Sequence, residues 1–145
     1  MYKKISILLV LLMFLFSAAL PAYAGNNQHV DAHFQKTAVQ QPVIYERDIV
    51  VTEAGGVYQV GFTTIKIPEN FTSGLPVTLH VEVASVNGEA GIEFTPDIPC
   101  FNADVTIIVH SYNGLLYDKT LGKNLKQNIH QQILKVQHFS RYAFS

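Results

Sequence analysis

Pro76-Val-Thr-Leu-His-Val-Glu-Val83 is the stretch that decides the fold. Val77, Leu79, Val81 and Val83 alternate with Thr78, His80 and Glu82. Successive side chains of a strand point to opposite faces, so this period of two predicts a half-buried β-strand with its four aliphatic residues inward. Asn87-Gly88 follows. Both residues tolerate positive φ, which marks a tight hairpin turn. Ile92 and Phe94 then make a short return strand, stopped by Pro96 and Pro99 because proline cannot donate to a ladder.

The same chemistry extends outward in both directions. Ile44–Thr52 reads as a strand, Ala54-Gly55-Gly56 as a turn, and Val57–Ile67 as one or two strands. Pro68–Gly74 has the composition of a loop. Ala103–His110 reads as a core strand with Val105, Ile107 and Val109 on one face, and Asn113-Gly114 as a second tight turn before a strand opening at Leu115. Asp118–Gly122 reads as another turn. Leu125–Gln137 fits a helical stripe (Leu125, Ile129, Ile133, Val136) or strands, and its asparagines and β-branched residues favour strands. In the last ten residues Val136, His138, Ser140, Tyr142 and Phe144 alternate with their neighbours, which suits a closing strand, straight or bent. Short strands at near-regular spacing predict an all-β fold, a single antiparallel β-sandwich.

The N-terminus carries a different signal. Lys3 and Lys4 precede an apolar run from Ile5 to Leu20, and Pro21-Ala-Tyr-Ala24 follows. A basic start, a short apolar core and small residues at an Ala-x-Ala end are the parts of a secretory signal peptide, over residues 1–24 with cleavage after Ala24. The protein is therefore expected to be secreted or held at the cell envelope, with membrane contact only through the signal peptide. The mature chain, Gly25–Ser145, has 121 residues, 8 basic and 11 acidic, a formal charge of −3. No basic patch marks a nucleic-acid partner. Residues 25–42 are polar and read as a flexible leader, and 43–145 as one domain. Cys100 is the single cysteine, so no internal disulfide is available. It is expected to behave as a small, partly buried apolar residue.

A set of short motifs in order resembles the ZU-five domain, the β-sandwich module of ankyrins and netrin receptors, with relatives among exported bacterial proteins. These are Gly55-Gly56-Val57, Ile65-Lys66-Ile67-Pro68, Gly91-Ile92-Glu93-Phe94-Thr95-Pro96, Phe101 before Val105-Thr106-Ile107, and His138-Phe139-Ser140-Arg141-Tyr142. The resemblance spans 43–145 and implies a β-sandwich that binds other proteins. Some members cut themselves at a terminal His-Phe-Ser, which here implies the Phe139–Ser140 bond. Ser140 would attack the carbonyl before it in an N-to-O shift. His138, or a neighbouring-strand histidine such as His110, would take the hydroxyl proton, and water would hydrolyse the ester. The chemistry also needs a strained peptide.

The leading expectation is plainer. Phe139 packs in the core, Ser140 makes a turn hydrogen bond, and the chain is a non-catalytic binding or structural module for a protein or cell-envelope component. Self-cleavage is the alternative, and a third is a sugar- or peptide-binding face lined by Tyr45, Tyr58, Tyr112 and Tyr117. His29-Val-Asp-Ala-His33 holds two imidazoles and a carboxylate but lacks a fourth ligand, so neither a metal nor another cofactor is assigned. His80, His110 and His130 are expected to be solvent-facing or hydrogen-bonded.

Overall fold

A computed structural model describes residues 40–145. The expected signal peptide, most of the expected polar leader and the His29–His33 segment lie outside the described residues. Within them the chain is all-β, with ten strands and no helix. These are β1 Tyr45–Val51, β2 Gly56–Val60, β3 Thr63–Ile67, β4 Val77–Val86, β5 Glu89–Ile98, β6 Val105–Val109, β7 Tyr112–Asp118, β8 Lys123–Ile129, β9 Gln132–Val136 and β10 Phe139–Ala143. They form two sheets. One runs β10-β5-β4-β7-β8, with β1 also paired to β4; the other runs β2-β3-β6-β9.

The deciding stretch behaves as its alternation predicts. Leu79, Val81 and Val83 of β4 are fully buried while Thr78, His80 and Glu82 face outward, exposed or half-buried. Asn87 (φ 53°) and Gly88 (φ 83°) turn the chain into β5. Both central residues have positive φ, which matches the right-handed twist of the flanking strands. Val105, Ile107 and Val109 are likewise fully buried on β6. Leu125–Gln137 forms β8 and β9, and the helical alternative is excluded. Aliphatic residues of both sheets share one core with Phe71, Phe94, Phe101 and Phe139.

Several expectations are corrected. Pro96 does not end β5, which continues to Ile98. Pairing of β5 with β4 stops at Thr95, and β10 pairs through Phe139↔Ile98 and then Arg141↔Glu93. Ser140 alone therefore stands opposite Phe94–Asp97. Pro96 sits in this irregular stretch, where its missing N–H interrupts no ladder bond. The same shift bends the terminal stretch: β9 ends at Val136 in one sheet and β10 begins at Phe139 in the other. Phe139 and Phe144 are buried there, so the simple alternation through residues 136–144 breaks.

Asn113-Gly114 is not a turn. Both residues lie inside β7, opposite Asn128 and Gln127 of β8. Gly114 makes room for a ring instead: a Cβ there would lie 2.5 Å from the Tyr112 hydroxyl, which donates to the Leu115 carbonyl at 2.7 Å. The pairing is also not wholly antiparallel, because β4 meets β7 in a parallel step at Ser85↔Asp118. The Pro68–Gly74 segment is a loop, but its Phe71 is fully buried against Phe101. Cys100 is exposed, contrary to expectation, since it follows Pro99 beyond the end of β5.

Candidate functional site

The terminal His138-Phe139-Ser140 is placed by the passage between sheets. His138 is exposed, Phe139 is 1% exposed, and Ser140 is half-buried. The Tyr142 hydroxyl donates to the His138 carbonyl at 2.6 Å, and the two rings lie 5.6 Å apart. Burial pushes the Tyr142 phenol up, partly offset by a hydrogen bond with Ser140. Ser140 thus has a phenol as its polar neighbour.

His110 is not brought to this serine. It follows β6 at the end where Val109 pairs with Gln132, whereas the chain leaves β9 for Ser140 at the other end, where Val105 pairs with Val136. The Thr64 hydroxyl donates to Gln59 Oε1 at 2.7 Å, so it accepts from His110 Nε2 at 2.9 Å. Neither Phe139 nor Ser140 adopts positive φ.

The four tyrosines do not share a face: Tyr117 lies five residues after Tyr112 along β7, between the buried Leu116 and Asp118, and so points to the opposite side. Tyr45 and Tyr112 enter a cluster with Phe62 and Phe144, in which Phe62 stacks on Tyr112 at 4.3 Å. The Tyr112 phenol is pushed up to about 12 by burial, with the Tyr45 hydroxyl adding to the effect. Tyr58 folds over Gly56 and donates to the Val50 carbonyl at 3.1 Å. The rings of Tyr45, Tyr58 and Tyr112 are used in packing. A shallow open depression of about 500 Å³, lined among others by Gly56, Val57, Lys66, Glu69 and Thr106, lies on the other sheet and contains no histidine.

The richest polar constellation is on the outward side of β1, β4 and β5. Register puts Glu46 directly opposite Glu82, Glu82 opposite Glu93, and Asp48 opposite His80. Three glutamates therefore stand side by side across three paired strands. Like charges directly opposite each other destabilise an antiparallel pair. One ammonium offsets part of this: Lys119 Nζ lies 2.7 Å from Glu82 Oε1 and 3.2 Å from Glu93 Oε2. Its pKa is raised, chiefly by the Glu82 hydrogen bond, against an opposing effect of burial and with Glu93 adding.

His80 Nδ1 lies 2.7 Å from Asp48 Oδ1. An ionised carboxylate only accepts, so Nδ1 carries the hydrogen, and Nε2 lies 3.9 Å from Glu46 Oε2. His80, expected to be solvent-facing or hydrogen-bonded, is hydrogen-bonded on the outward side, but the sequence did not show the carboxylates around it. The available signal was Glu46-x-Asp48 and His80-x-Glu82, two outward-facing polar alternations on strands that pair.

A scan against protein-family models found no match, and comparisons with curated proteins and with solved structures also found none.

Proposed function

We propose that this protein is an exported, non-catalytic binding or structural module, a ZU-five-like β-sandwich working at the cell envelope or outside the cell. The signal-peptide pattern over residues 1–24 supports export, and a core shared by residues of two sheets supports the sandwich. The observation that carries the reading is the row Glu46, Glu82 and Glu93. It sets like charges in register, at a cost to folding that Lys119 offsets only in part. A face of this kind suits a cationic partner surface, protein or envelope component, whose charge would relieve the repulsion.

The test is co-sedimentation of the purified protein with isolated envelopes of the producing cell. Replacing Glu46, Glu82 and Glu93 together by Gln should cut the bound fraction at least about tenfold, roughly 1.4 kcal/mol. Equal binding by the variant would remove this face from the function.

A second reading, self-cleavage at Phe139–Ser140, is favoured by one feature: that bond lies where β10 loses register with β5. Intact mass under denaturing conditions decides it, since a cut strand would otherwise stay bound. The non-catalytic reading expects Ser145 to be retained by both wild type and Ser140→Ala. A wild type ending at Phe139, beside an uncut variant, would establish autoprocessing.

A further inference from the structure

We propose that Glu46, His80 and Glu82 bind one divalent cation of the zinc class, with Asp48 positioning the imidazole. This goes beyond the partner surface proposed above and does not require that partner. One ligand atom from each of the three residues lies within 4.8 Å of the others. Zinc–nitrogen and zinc–oxygen bonds of about 2.0–2.2 Å put tetrahedral ligand atoms roughly 3.4 Å apart. His80 Nε2 and Glu46 Oε2, at 3.9 Å, are already near that separation. Closing the rest takes small rotations of two glutamate ends, while the paired backbones of β1 and β4 hold the four residues in a two-by-two block.

The donor set selects the metal. An imidazole nitrogen and two carboxylates suit zinc and its neighbours. Calcium needs six to eight oxygens, and magnesium keeps an octahedral shell of oxygens. Three protein ligands leave one position for water or a partner's side chain, as in open zinc sites.

The most informative feature is the histidine. Its Nδ1–H is held by Asp48, the arrangement by which carboxylates fix the tautomer and direction of metal-binding imidazoles. The ring's Nε2 is thereby turned toward Glu46 Oε2. A metal ion would also relieve the Glu46–Glu82 opposition from the Glu46 side, where Lys119, which pairs with Glu82 and Glu93, makes no ion pair. Lys119 occupies Oε1 of Glu82, which leaves that residue's second oxygen for the ion.

The experiment is calorimetric titration of the full chain with zinc chloride, followed by cobalt(II) absorption as a report on coordination. The expected result is one ion per chain. His80→Ala should weaken binding at least about tenfold, and Asp48→Asn, which touches no metal, by about 10–100-fold. Lys119→Met should strengthen binding several-fold, because a cation beside the site is removed. A merely structural ion pair predicts no such gain. These side chains face outward, and circular dichroism of each variant verifies the fold.

Absence of zinc uptake by the wild type overturns the proposal. So does uptake that survives His80→Ala and Glu82→Gln but disappears when His29 and His33 are replaced. Failure of the titration leaves the envelope-binding result untouched, and failure of envelope binding leaves the titration untouched.

Discussion

Phe139→Ala is expected to destabilise the domain by about 4 kcal/mol. Phe139 is 1% exposed and stacks on Phe94 with ring centroids 4.2 Å apart and planes 11° from parallel. It also meets Phe101 edge-on at 4.5 Å and Phe71 at 5.9 Å. Truncating a buried phenyl loses its transfer free energy, leaves a cavity and removes aromatic contacts that add about 0.5–1.5 kcal/mol per pair. Total stabilities of single domains run from about 5 to 15 kcal/mol, so this one change consumes a large share. Urea denaturation of the two proteins measures it, with the midpoint falling and the slope unchanged. A loss below about 1 kcal/mol would mean that the four rings do not form one packed unit.

The size of that effect separates the three terminal residues by role. His138 is exposed, and its ring lies 5.6 Å from that of Tyr142. Ser140 is half-buried in an irregular stretch without a ladder partner. Substitutions at exposed positions such as His138 usually change stability by less than about 0.5 kcal/mol. A structural terminal strand therefore concentrates its stabilising contribution in Phe139. This residue joins a loop (Phe71), a strand (Phe94) and the segment before β6 (Phe101) to the start of β10.

Much of the fold could be read from residue alternation, because the burial of one sheet face writes period two directly into β4 and β6. What could not be read depended on partners distant in sequence. Asn87-Gly88 and Asn113-Gly114 are the same dipeptide, yet only the first turns. At the second, Tyr112 lays its ring over Gly114, so the missing Cβ serves packing rather than positive φ. Gly56 and Tyr58 repeat the device on β2. An aromatic residue two positions from a glycine was the available cue.

The Pro96 error has the same origin. A proline blocks a strand only where a neighbour needs its N–H, and the neighbours of β5 were invisible in the sequence. The carboxylate–histidine block is the clearest case. Glu46 and Glu82 lie 36 positions apart and become adjacent only through the β1–β4 register. The Glu-x-Asp and His-x-Glu patterns were legible, but their juxtaposition was not.

Asp118→Asn is expected to lower the melting temperature at neutral pH by on the order of 10 °C. Asp118 has no exposed surface, and its two oxygens are fully used. Oδ2 accepts the Ser85 hydroxyl at 2.9 Å and the Gly88 N–H at 2.6 Å, and Oδ1 accepts the N–H groups of Thr120 at 3.0 Å and Leu121 at 2.8 Å. An amide keeps one accepting oxygen and turns an NH2 toward donors on the other side, so at least one buried donor is orphaned.

Burial alone would raise the pKa of this carboxyl. The hydrogen bonds from Gly88, Leu121, Ser85 and Thr120 outweigh it and hold the group below its ordinary value. The folded pKa is thus depressed relative to the unfolded chain, so the stabilisation is complete above about pH 4 and is lost as pH falls through the folded value. The gap in melting temperature between wild type and variant should therefore be widest at neutral pH and narrow in acid, where protonated Asp118 resembles the amide. Thermal unfolding of both proteins across that range measures it, and a gap independent of pH would mean that the ionised form is not what the four donors hold.

The consequence extends past stability. Asp118 ties the β4–β5 turn to the β7–β8 turn, and the next residue is Lys119, whose N–H donates to the Ser85 carbonyl and whose ammonium sits on Glu82 and Glu93. A buried carboxylate thus sets the position of the cation that tempers the acidic face. Loosening it should disturb that face without touching any residue on it.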